Sequence, residues 1–74
     1  MGIKLNSSNL VYAEYDNKRS TLEIEFHTGA KYSYSPISEQ GYKEFANSER
    51  PSEYFRNNIK DNPSITCVKT RDKD

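Results

Sequence analysis

The chain has 74 residues, enough for one small domain. Hydrophobic residues make up 32% and charged residues 30%, and eleven basic residues balance eleven acidic ones. The balance argues against a dedicated duplex-binding protein, which carries a basic excess, and no apolar run reaches membrane-spanning length. The core must come largely from six Tyr and three Phe, each able to bury about 150–250 Å². Cys67 is the only cysteine, which rules out an internal disulfide and points to a reducing cytoplasm.

Leu10-Val11-Tyr12-Ala13-Glu14-Tyr15 reads as the first strand, followed by the polar turn Asp16-Asn17-Lys18-Arg19-Ser20. Thr21-Leu22-Glu23-Ile24-Glu25-Phe26-His27 alternates with period two, the clearest strand signal in the chain. A turn between Lys18 and Arg19 pairs Tyr15 with Leu22, Ala13 with Ile24 and Val11 with Phe26 on one inner face. A second turn centred on Gly29 pairs Phe26 with Tyr32 and Ile24 with Tyr34, so both tyrosines of the third strand are expected to face inward. The outer face then carries Leu10, Tyr12, Glu14, Glu23, Glu25, His27, Lys31 and Ser33, an acidic surface that repels phosphate.

Two helices follow. Ser38 is the expected N-cap of the first, with Tyr42, Phe45 and Ala46 forming its apolar stripe. Pro51 or Ser52 opens the second, with Tyr54, Phe55 and Ile59 buried, and Pro63 stops it. Residues 65–68 form either a fourth, edge strand or an extended tail. The expected fold is α+β: a small antiparallel sheet of three strands, or four, with two helices packed on one face. One domain is expected over residues 1–68, with a mobile charged tail over 69–74.

Catalytic and metal chemistry is sparse. One His and one Cys cannot supply a His/Cys metal site, and three isolated glycines make no phosphate loop. Neither His27 nor Cys67 has an evident activating partner, so a non-enzymatic protein without metal or cofactor is expected. Positive charge is enriched from Arg50 onward, and Arg56 and Lys60 stand four apart beside Asn57 and Asn58. Such a helix face can hold phosphates, with the amides adding hydrogen bonds. Arg50, Arg56, Asn57, Asn58 and Lys60 are therefore the candidate nucleic-acid-binding residues.

The series Ser7-Ser8-Asn9-Leu10, Tyr15-Asp16, Leu22 to Gly29, Tyr32-Ser33-Tyr34 and Tyr54-Phe55-Arg56-Asn57-Asn58-Ile59-Lys60 resembles the KTSC domain family. That family is named for its occurrence at the C-terminus of some lysyl-tRNA synthetases, and it also forms free-standing small bacterial proteins. The resemblance covers about Ser7 to Lys60. It places Tyr32 and Tyr34 in the family's Tyr-x-Tyr motif and Tyr54, Phe55, Asn58, Ile59 and Lys60 in its YF-x-x-N-I-R/K segment. It departs at Arg56, where the family often has Asn, and at Asp61-Asn62-Pro63-Ser64, where aromatic and basic residues are usual. What it implies is the α+β fold and, from the synthetase context, RNA binding. Two roles therefore compete: an RNA-binding module, and a protein-interaction or accessory module such as a mobile element or phage would carry. The latter would dock a protein partner, or a second copy, by a sheet edge or exposed aromatics.

Overall fold

The computed structural model describes residues 2–71. Five strands form one antiparallel sheet in chain order: β1 Gly2–Lys4, β2 Leu10–Asp16, β3 Thr21–Phe26, β4 Lys31–Ser35 and β5 Thr66–Arg71. Between β4 and β5 the chain makes α1 (Glu39–Asn47), α2 (Pro51–Phe55) and a π-helical segment, Arg56–Lys60. The α+β layout with two helices on one face stands as expected, but the sheet has five strands rather than three or four. β1 was not foreseen: Gly2-Ile3-Lys4 is too short to show a period. β5 runs to Arg71, so Lys69–Arg71, expected in a tail, are strand residues; the rest of that tail, residues 72–74, lies outside the described residues.

Among the described residues, eleven buried hydrophobic ones make the core. Ala13, Tyr15, Leu22, Ile24 and Tyr34 rise from the sheet to meet Ile37, Tyr42, Phe45, Phe55 and Ile59 from the helical layer. Burying each large apolar side chain contributes about 1.5–3 kcal/mol, so these contacts outweigh the weak helix propensity of short segments. The layers lock through rings: Tyr15 stacks on Tyr42 at 4.8 Å, and Phe55 meets Tyr34 and Phe26 edge-on at 5.0 and 5.9 Å. The buried Tyr15 hydroxyl donates to the Ile37 carbonyl at 2.6 Å.

The first hairpin keeps the expected pairs Tyr15–Leu22, Ala13–Ile24 and Glu14–Glu23. It then departs. A bulge between Leu10 and Tyr12 sets Leu10 opposite Phe26, so Leu10 is buried while Val11 is 41% exposed. The extra residue reverses the alternation on its N-terminal side, which corrects the placement of Leu10 outside and Val11 inside. The second hairpin slips by two residues: Ile24 pairs with Tyr32 and Leu22 with Tyr34. Its turn centres one residue earlier than Gly29, on Thr28: Phe26 donates to the Ala30 carbonyl at 2.9 Å, and Gly29 donates back to the Phe26 carbonyl at 2.8 Å with φ 96°. A slip of two preserves the faces, and Tyr34 is buried while Tyr32 is half-buried.

Ser38 caps α1, its hydroxyl accepting from the Gly41 amide at 3.0 Å. The chain after Phe55 widens into a π turn, where the Asp61 amide reaches the Arg56 carbonyl. The Asn58 side-chain amide donates to the Tyr54 carbonyl at 3.2 Å, filling an acceptor inside this widened turn. Among the described residues no helix is long and apolar enough to cross a membrane.

Candidate functional site

The helical layer only partly covers the end of the sheet where β3 turns into β4. There the inner-face rings of Phe26 and Tyr32 stay half-buried, set edge-to-face at 5.6 Å. β5 brings two more groups to this face, because Cys67 pairs with Tyr34 and Lys69 with Tyr32. Lys60 stands at the end of the π-helical segment, while Asn9 precedes β2 and is tied to the turn by the His27 amide at 3.0 Å. Together with Thr28 and Ala30 of the turn, these elements enclose a concave site of about 620 Å³.

Among the described residues no carboxylate lines this site, and Lys60 is the one charged residue that does. The Lys69 ammonium sits over the Tyr32 ring, 5.6 Å from its centroid. The hydroxyl of Tyr34 holds its proton to well above the ordinary tyrosine range, through burial first and then its hydrogen bond with Cys67. The floor is thus neutral and aromatic, and its rim is positive. Such a surface suits a planar aromatic ligand bearing negative charge.

The five residues expected to bind phosphate do not line one depression. Lys60 lines the aromatic site. Arg50, Asn57 and Asn58 line a separate concavity of about 350 Å³, together with Glu49 and Glu53. Arg50 is paired there with Glu53 at 3.6 Å, and the Asn58 amide is engaged within its own helix. Arg56 lines neither depression and is exposed. Of the family-motif residues, Tyr34 and Phe55 are core, Tyr54 is half-buried with its hydroxyl on Glu44 at 2.9 Å, and Tyr32 alone is both aromatic and accessible in the site. Sequence reasoning missed Asn9 and Phe26 as site residues, and read Lys69 only as part of a charged tail. Phe26 carried a signal, as the last inward position of the clearest strand, whereas the place of Lys69 over Tyr32 follows only from β5 being a strand.

The outer face is less acidic than expected. β5 lays Thr70 on Glu23 at 2.9 Å and Arg71 on Glu25 at 3.0 Å, and Arg71 also donates to the Gly29 carbonyl at 2.7 Å. Tyr12 is engaged with Glu14 at 3.2 Å, and that hydrogen bond raises its hydroxyl pKa. Among the described residues no cluster of three His, Cys, Asp or Glu is placed to hold a metal ion.

The geometry defines a small α+β domain whose distinctive surface is an aromatic, positively rimmed concavity at one end of a meandering sheet. The chain belongs to the KTSC domain family, whose model matches residues 6–62. Its fold is similar to the crystal structure of a KTSC domain protein from Yersinia pestis, with a TM-score of 0.86 and 24% identity over 96% of this chain and 97% of that one. A search of curated proteins finds no match.

Proposed function

We propose that the protein is a non-enzymatic binding module for single-stranded RNA. The observation that carries this reading is the Phe26–Tyr32 concavity, lined by no carboxylate among the described residues and flanked by Lys60 and Lys69. Unpaired RNA offers bases that stack on aromatic side chains and phosphates that seek cations, and this site combines both partners. Arg56, exposed on the segment that ends at Lys60, extends the positive path for a neighbouring phosphate. The free thiol of Cys67 fits a reducing compartment, and we place the protein in the cytoplasm.

The test is an amide chemical-shift titration with short single-stranded and hairpin RNA at low and physiological salt. Shifts should gather around Lys60, Tyr32 and Lys69. With two to three phosphates engaged, affinity should fall about tenfold between ~50 and ~200 mM salt. Lys60→Glu should abolish most of the response. No shifts at low salt would remove the RNA reading.

A second reading is favoured by one observation. β5 is an edge strand whose residues are all exposed, Val68 by 56%, so its outer backbone edge can accept a partner's strand, including that of a second copy. Binding of that kind holds at high salt, which separates it from phosphate recognition.

A further inference from the structure

The shape of the aromatic concavity says more than that it attracts RNA. We infer that it takes up one unpaired nucleotide, its base packed against Phe26 and Tyr32, its edge met by the Asn9 side-chain amide, and its 5′-phosphate held at Lys60. This rests on the RNA reading and narrows it to a unit of recognition.

Size is the first argument. About 620 Å³ lies within the range of ~300–1,000 Å³ typical of small-ligand sites. An extended groove for a run of bases would need further exposed rings. The half-buried Tyr12 stands on the opposite face of the sheet with its hydroxyl on Glu14, and Tyr54 belongs to the other concavity, beside Glu49 and Glu53.

Recess is the second argument. The rings belong to the inner face of the sheet, between the hairpin turn and the end of the helical layer. A base stacked and paired in a duplex cannot bring its face to them, whereas a splayed base can.

Polarity is the third. Asn9 lines the site and is exposed, and its side-chain amide makes no hydrogen bond among the described residues. Its backbone is nonetheless fixed: its amide donates to the Ser7 hydroxyl and its carbonyl accepts from the His27 amide. A side-chain amide anchored through its backbone offers one donor and one acceptor side by side. Adenine answers that pair on both its Watson–Crick and Hoogsteen edges, and Asn is its usual bidentate partner. Adenosine is therefore the preferred nucleoside.

The experiment uses the full chain, labelled with nitrogen-15, and titrates it separately with AMP, UMP and ribose 5-phosphate. A fourth titration uses a short single-stranded oligoadenylate. AMP should shift the amides of Asn9, His27 and Tyr32, whereas ribose 5-phosphate should perturb only the Lys60 side. Asn9→Ala should weaken AMP at least about fivefold while leaving ribose 5-phosphate unchanged. Lys60→Gln should weaken both. The strand should bind more tightly than AMP through its additional phosphates, and equal affinity would mark a free-nucleotide site instead and overturn the proposal as stated. Equal responses to AMP and ribose 5-phosphate would overturn it, since no base would then occupy the site. So would equal responses to AMP and UMP that Asn9→Ala leaves untouched. Oligoadenylate binding with shifts only near Arg50 and Arg56 would defeat the nucleotide pocket and leave the RNA reading standing. Silence from every ligand at low salt would defeat both.

Discussion

Leu10 and Val11 test the fold at one point where alternation and structure disagree. In a regular hairpin Val11 would face the core and Leu10 the solvent. The bulge reverses them, leaving Leu10 1% exposed and Val11 41% exposed. Leu10→Ala removes a fully buried side chain from a closely packed layer, which costs about 2–5 kcal/mol including the residual cavity. A chain of this size is stable by only ~4–11 kcal/mol, so the loss is a large fraction of the whole. Val11→Ala forfeits strand preference and part of a surface contact, about 1 kcal/mol at most. The assay is urea unfolding followed by far-ultraviolet circular dichroism. The slope should stay constant near ~1 kcal/mol/M, so the midpoint falls by about 2 M or more for Leu10→Ala and by less than about 1 M for Val11→Ala. If Val11→Ala proves the more damaging, β2 pairs in regular alternation and the bulge is wrong.

Three further outcomes are expected. Tyr15→Phe keeps the stack on Tyr42 but strips the donor from the buried Ile37 carbonyl, costing about 1–3 kcal/mol in urea unfolding; an unchanged midpoint would mean that water replaces it. Asn58→Ala should lower stability by about 1 kcal/mol because the Tyr54 carbonyl loses a side-chain donor, whereas Asn57→Ala should be near neutral; equal effects would refute the internal role of Asn58. Burial raises the hydroxyl pKa values of Tyr34, Tyr42 and Tyr54 in the folded chain, aided at Tyr34 by Cys67 and at Tyr54 by Glu44. Above the ordinary value of 10.0 the unfolded chain has released protons that the folded chain retains, so stability should hold up to that pH and then fall. The slope is at most about 1.4 kcal/mol per pH unit for each such tyrosine. Thermal melts across this range check it, and a midpoint that rises with alkalinity would contradict it.

Period-two alternation in β3 and the matching residues on either side made the central meander readable, together with its inner face and the Ser38 cap. The bulge at Leu10–Val11 left no such mark, because both residues are apolar and either satisfies the pattern. The slip of the second hairpin escaped for a related reason: Tyr32 and Tyr34 are two apart, so a shift of two exchanges like for like. β5 was ambiguous because an edge strand with every residue exposed has no buried face to impose alternation. Lys60 was legible as part of the family motif. The rest of its site was not, since Asn9, Phe26 and Cys67 come from three separate parts of the chain and only the tertiary structure gathers them.

The meander β2–β3–β4 closes through short turns, whereas β5 reaches β4 only after the whole helical excursion, with Lys31 paired to Arg71. Loop closure of that length is paid for last in folding, and an edge strand is also the first element free to detach in the native state. By that physics the two walls of the aromatic site should differ in persistence, the hairpin wall outlasting the Cys67–Lys69 wall that β5 carries. A ligand seated between them would slow that opening, and slower hydrogen exchange at the β4–β5 amides would report occupancy even where the ligand itself gives no signal.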